Sequence, residues 1–266
     1  MKKCNKLFKM LAACAILVMM FGVTSMAAGT KVVNMTAAGN GGYSYQVVGE
    51  DSTNIVFHKF TVNKSGLIAV AGLSVTSYGS EAPMSVTLCN SKMQSIDAST
   101  SGAYLTNSDT VAYYGLKKGT YYLKVTNEEN YAIAVQLKAM TDKGGASKKK
   151  ATNVKKKKQI TGVMPAGEKA KKADWFKIKL TKSQKLKLNI AVSGNGYFDF
   201  YIYGPGYPSK GRLLKSMKNT NGKFTCYRTT YTSSKKYGLK AGTYYVKVQR
   251  YSSDKKASGA YTLKWN

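Results

Sequence analysis

One phrase occurs twice in this chain. Gly115-Leu-Lys-Lys-Gly-Thr-Tyr-Tyr-Leu-Lys-Val125 returns as Gly238-Leu-Lys-Ala-Gly-Thr-Tyr-Tyr-Val-Lys-Val248, 123 residues further on. That period is too long for a solenoid and fits a tandem copy of one whole domain. Each copy reads as a turn at Gly119 or Gly242 followed by a strand, with Tyr244, Val246 and Val248 on one face and Tyr245, Lys247 and Gln249 on the other. A second pair of segments supports the duplication: Phe57-His-Lys-Phe-Thr-Val-Asn-Lys-Ser-Gly66 aligns with Trp175-Phe-Lys-Ile-Lys-Leu-Thr-Lys-Ser-Gln184, 118 residues on. The second copy thus carries a net five extra residues between these anchors, and the turn-rich stretch 204–211 is the expected place for them.

Residues 1–27 read as a secretory signal peptide: Lys2, Lys3, Lys6 and Lys9, the apolar run Leu11 to Val23, then small residues before Ala28. Leu11-Ala-Ala-Cys14 also has the composition of a lipid-attachment site, but Cys14 stands at the beginning of the apolar run, and the run is short for a membrane anchor. Removal of the signal leaves 239 residues, enough for two domains, with no transmembrane segment expected in them. Two cysteines remain, Cys89 and Cys226, at positions that are not equivalent in the two copies. They are expected to be buried free thiols, with one bridge between the copies as the alternative.

Charge separates the copies. Residues 28–140 hold eight lysines against seven acids; residues 141–158 hold eight lysines against Asp142; residues 159–266 hold nineteen lysines and three arginines against four acids. The first copy is near neutral and the second strongly basic. Within the first, Tyr43 to Val48, Ile55 to Val62, Leu67 to Val75, Met84 to Cys89, Thr110 to Tyr114, Thr120 to Val125 and Tyr131 to Leu137 are strand-like, and nothing shows an apolar period of 3.6. The expectation is an all-β chain of two tandem antiparallel β-sandwich, jelly-roll-like domains at 28–140 and 159–266. The intervening 141–158 has almost nothing to bury and repels itself, so it is expected as a mobile linker that a trypsin-like protease would cut readily.

In the second copy Phe176, Ile178, Leu180, Leu186, Leu188 and Ile190 alternate with Lys177, Lys179, Lys185 and Lys187. The expected arrangement is a hairpin turning at 181–184, with the strands around Tyr244 to Val248 and Tyr261 to Trp265 in the same sheet. Its outer face would then gather Lys177, Lys179, Lys185, Lys187, Tyr245, Lys247 and Lys264 into one surface, with Tyr201, Tyr203 and Tyr207 as looser members.

The order Asp174-Trp-Phe-Lys-Ile-Lys-Leu180, Tyr197-Phe-Asp-Phe-Tyr-Ile-Tyr203, Leu239-Lys-Ala-Gly-Thr-Tyr-Tyr-Val-Lys-Val248 and Gly259-Ala-Tyr-Thr-Leu263 resembles the bacterial pre-peptidase C-terminal domain. The collagen-binding domains of clostridial collagenases are relatives of that family. The resemblance covers about 159–266, with 31–140 as a more divergent copy. It implies a jelly-roll sandwich and an appendage that binds a surface or polymer beside a secreted hydrolase, although no hydrolase is attached here. Calcium-binding relatives use clustered acids near the start of the domain. Here Glu168 and Asp174 stand among three lysines, a poor hard-cation site, so calcium is not carried over and no cofactor is expected. Asp174 and Asp199 match family positions and are expected to pair with backbone amides.

Catalytic chemistry has few candidates. His58 is the single histidine and aligns with inward Phe176; no Gly-x-Ser-x-Gly elbow exists, and one histidine with two separated cysteines does not make a zinc site. Gly39-Asn-Gly-Gly42 and Gly194-Asn-Gly196 are turn residues rather than nucleotide loops. The reading is a secreted, non-catalytic module held by its basic second domain to an anionic cell-wall polymer or polysaccharide, with lysines supplying charge and tyrosines flat area for stacking. The alternative is an adhesin or protein-binding module with a collagen-like or protease-associated partner. No specific nucleic-acid partner is expected.

Overall fold

The structure is a computed structural model that describes residues 30–38, 42–47, 55–76, 78, 80–97, 102–106, 110–126, 130–230 and 233–266. The expected signal peptide lies outside the described residues. Every regular element among them is a strand, and the chain divides into two compact units after Ala139. The first contains β1 (Thr30–Asn34), β2 (Thr36–Ala37), β3 (Gly42–Val47), β4 (Ile55–Val62), β5 (Gly66–Val75), β6 (Glu81–Ala82), β7 (Met84–Cys89), β8 (Ala103–Leu105), β9 (Ala112–Leu116), β10 (Gly119–Thr126) and β11 (Tyr131–Ala139). The second contains β12 (Thr152–Asn153), β13 (Gln159–Met164), β14 (Ala173–Leu180), β15 (Leu186–Gly194), β16 (Phe198–Tyr203), β17 (Arg212–Met217), β18 (Asn221–Cys226), β19 (Arg228–Thr230), β20 (Ser233–Tyr237), β21 (Gly242–Arg250) and β22 (Gly259–Trp265).

The duplication extends to topology. One sheet of the first unit runs β1-β4-β10-β7-β8, and its counterpart in the second runs β12-β14-β21-β16-β17. The other sheets share the order β3-β11-β5 and β13-β22-β15. Pairing is antiparallel except at one edge of each unit, where β1 runs parallel to β4 and β12 parallel to β14. In the second unit both sheets turn their apolar side chains into one core that includes Phe176, Ile178, Phe200 and Tyr244 from one and Leu186, Leu188, Ile190 and Leu263 from the other. Each such residue contributes about 1.5–3 kcal/mol on burial.

Three expectations need correction. First, β14 and β15 do not form a hairpin: β14 pairs with β21, whereas β15 pairs with β22 and β18 in the opposite sheet. Alternation reports which residues face the core, and it is the same whether a turn stays in one sheet or crosses to the other. Second, the extra residues are not at 204–211. Leu105 pairs with Met84 as Met217 pairs with Phe198, and Leu116 pairs with Gly66 as Leu239 bridges Gln184. From Leu105 to Leu116 is 11 residues and from Met217 to Leu239 is 22; Cys226 pairs with Leu186 as Tyr114 pairs with Ile68, so β18 stands where β9 does and the insertion after it holds the β19–β20 hairpin. Shorter connections elsewhere hide most of it from a net count.

Third, 141–158 is not a free linker. Thr152 and Asn153 form β12 against β14, Ala151 and Val154 are buried, and Gly145 bridges Trp175. The Trp265 indole N–H donates to the Val154 carbonyl at 2.7 Å, and the Lys157 amide donates to the Trp265 carbonyl at 2.8 Å. Two apolar residues and a row of backbone hydrogen bonds anchor a segment whose composition is otherwise that of a solvated tether.

Candidate functional site

The second unit presents two outer faces, and the lysines expected to share one surface are divided between them. On the sheet of β14, β21 and β16, outward side chains meet in rows: Trp175 is opposite Lys247, which is opposite Tyr201; Lys177 is opposite Tyr245, which is opposite Tyr203; Lys179 is opposite Thr243. The structure therefore brings together Lys177, Lys179, Tyr201, Tyr203, Tyr245 and Lys247. Trp175, which the sequence reading left out, joins them, its ring centre 5.1 Å from that of Tyr203.

Lysine ammonium groups sit over these rings. Lys247 Nζ lies 5.7 Å from the Trp175 ring centre and 6.0 Å from that of Tyr201. Lys148 Nζ, from the segment taken for a tether, lies 5.3 Å from Tyr203 and 5.0 Å from Tyr245. Such contacts are worth about 0.5–1 kcal/mol at exposed sites. Burial lowers the Lys247 pKa, with nearby Asp199 acting against the shift. At the end of the face exposed Tyr197 and Tyr251 pack edge to face, 6.3 Å apart.

The remaining lysines lie on the opposite sheet. Lys187 faces outward across from Thr225, and Lys264 lies across from Asn189. Lys185 is exposed just before β15. Tyr207 belongs to neither face. It sits in the turn between β16 and β17, packs its ring edge to face on Tyr244, and donates its hydroxyl to the Tyr227 carbonyl at 3.4 Å. Burial pushes its pKa up. With Arg212 and Lys223 it lines a small cleft of about 230 Å³.

The acids of this unit are engaged within the fold. Asp174 accepts from the Tyr261 hydroxyl at 2.7 Å, and burial together with nearby Asp142 raises its pKa to about 7. Asp199 accepts from Ser216 Oγ and Tyr201 Oη. Both use hydroxyls where backbone amides were expected. Glu168 bridges Lys172 at 2.8 Å, Asp254 accepts from the Tyr197 amide, and Asp142 from the Gly144 amide. Buried Arg250 donates to the carbonyls of Ala257 and Pro165, both at 2.7 Å. In the first unit His58 is fully buried against Tyr131, and burial lowers its pKa to about 4. Cys89 and Cys226 are buried and free, and burial pushes both thiols up to about 11.

Solved structures similar to parts of this chain include the pre-peptidase C-terminal domain of collagenase from Bacillus anthracis (12% identity, 44% of this chain and 94% of that one, TM-score 0.31). That domain belongs to the family whose motifs the second copy resembles. A periplasmic inhibitor of g-type lysozyme from Salmonella Typhimurium (18% identity, 44% and 97%, TM-score 0.29) and the CBM22 tandem domain of Xyn10C from Paenibacillus barcinonensis (7% identity, 78% and 82%, TM-score 0.26) are also similar. No described protein family and no curated protein sequence matches.

Proposed function

We propose that this is an exported, non-catalytic binding protein whose second unit holds an anionic cell-wall polymer or polysaccharide by charge. One observation carries the reading. Residues 140–266 hold 27 lysines and three arginines against five acids, and each acid is taken up by a hydrogen bond or ion pair inside the unit. The lysines of both outer faces are thus left to a partner. A polymer that displaces counterions from about six of them binds with strong dependence on salt.

The test is retention of the purified chain 28–266 on isolated cell wall, with and without its anionic polymers, across a salt series. Retention is expected to fall by orders of magnitude between about 50 and 200 mM salt. It is also expected to vanish when the anionic polymers are stripped. Retention that ignores both would overturn the reading. A protein partner is the second reading, favoured by the exposed Tyr197–Tyr251 pair. It predicts binding that survives salt and is lost in the Tyr197→Ala variant.

A further inference from the structure

Lys223 and Lys264 of the β13-β22-β15-β18 sheet flank an open groove of about 670 Å³. Strand register sets one row straight across it: Gln159 opposite Lys264, Lys264 opposite Asn189, Asn189 opposite Lys223. Amide and ammonium alternate, and the two lysines, two strands apart, stand about 10 Å from each other. In the next row Ala191 lies between Thr262 and Asn221, and its small side chain forms part of the floor. The side chains of Gln159, Asn189, Asn221, Lys223 and Lys264 take no hydrogen-bond or ion-pair partner among the described residues.

We infer that this groove is a subsite for an acidic polysaccharide, read through the hydroxyls of its rings as well as its charge. The inference rests on the proposed function and narrows it. An amide side chain offers donor and acceptor together, which is what a ring hydroxyl needs, whereas an ammonium only donates and seeks an anion. The alternation in the row therefore matches a chain bearing both groups on each unit. Among the described residues no aromatic ring and no acid lines the groove, so an uncharged glycan finds no stacking surface there and a polyanion meets no like charge. A bare polyphosphate would satisfy the lysines and leave the amide carbonyls without a donor.

The experiment measures binding of the chain 28–266 to polygalacturonate, to inorganic polyphosphate and to a neutral galactan at low salt. Variants Ala191→Trp, which fills the floor, and Asn189→Ala, which removes the central amide, are compared with the parent after their melting temperatures are matched. Each variant is expected to weaken polygalacturonate binding by up to about tenfold while polyphosphate binding stays within about twofold, Asn189→Ala because one net hydrogen bond is worth a factor of up to about ten and Ala191→Trp because its ring takes the place of the sugar on the floor. The neutral galactan is expected not to bind. An equal loss for both polyanions, or no loss for either, would overturn the groove and leave charge-driven retention standing. A parent protein that binds neither polyanion would overturn the proposed function and the groove with it.

Discussion

His58 Nε2 lies 2.7 Å from the Tyr131 hydroxyl, with the two rings edge to face at 86°. The second unit keeps the same ring angle between Phe176 and Tyr261, the partners at the matching positions, but there the tyrosine hydroxyl turns to Asp174. Each copy of the duplication has thus found its own buried polar partner for one shared tyrosine.

His58 is held neutral, its pKa lowered from 6.5 to about 4 by burial and by Lys31. A depressed histidine contributes stability that is present above its unfolded pKa and lost as pH falls through the folded one. The first unit is expected to lose on the order of a few kcal/mol between about pH 6.5 and 4. His58→Phe should remove that slope while lowering stability at neutral pH by about 1–3 kcal/mol, because the Tyr131 hydroxyl loses this partner. Denaturant titrations at several pH values check both effects.

Asp174 has the opposite sign. Its pKa is raised from 3.8 to about 7, so the folded state binds the extra proton, and its contribution is greatest at acid pH and lost as pH rises through about 7. Asp174→Asn is expected to stabilise the second unit at about pH 8 by on the order of a few kcal/mol and to match the parent near pH 4. An unchanged difference across that range would contradict the assigned protonation.

Arg250 joins the Pro165 carbonyl to the Ala257 carbonyl from inside the second unit. Arg250→Met removes the donor from two carbonyls at once and is expected to cost about 3 kcal/mol or more. Thermal unfolding reads this directly, and Arg250→Lys, which lacks the planar fork, should recover only part of the loss.

Lys177 and Lys179 lie on one outer face and Lys187 and Lys264 on the other, so the two pairs can be separated. Changing either pair to glutamine is expected to shift stability by less than about 0.5 kcal/mol. Each lysine that faces the polymer should reduce the slope of log affinity against log salt by about one, by analogy with phosphate polymers. The groove predicts that the Lys264 side carries the larger reduction on polygalacturonate.

The strands were legible because their cues are local. All seven stretches read in the first copy appear within two residues, as β3, β4, β5, β7, β9, β10 and β11. The inward set Phe176, Ile178, Leu186 and Leu188 was legible for the same reason. What failed was assignment to sheets, because Lys177 and Lys187 carry identical local patterns and only long-range pairing with β21 or β22 places them on opposite sides. Trp175 shares the outward parity of Lys177, and Asn189 that of Lys187, so both could have been found by following parity rather than charge. Lys148 could not, since its place over Tyr203 and Tyr245 depends on the path of a segment that sequence alone reads as unattached.

The anchoring of 141–158 changes how readily a protease can separate the two copies. All eight lysines of that segment are exposed, and a trypsin-like enzyme needs the surrounding backbone released into its cleft before it can cut. Here the backbone between Lys150 and Lys155 is tied to β14 and to Trp265, so release requires opening the edge of the second unit. The lifetime of the link between the two copies is therefore set by the opening of that edge, and a change that loosens Val154 or Trp265 would let the link be cut long before either copy lost its own fold.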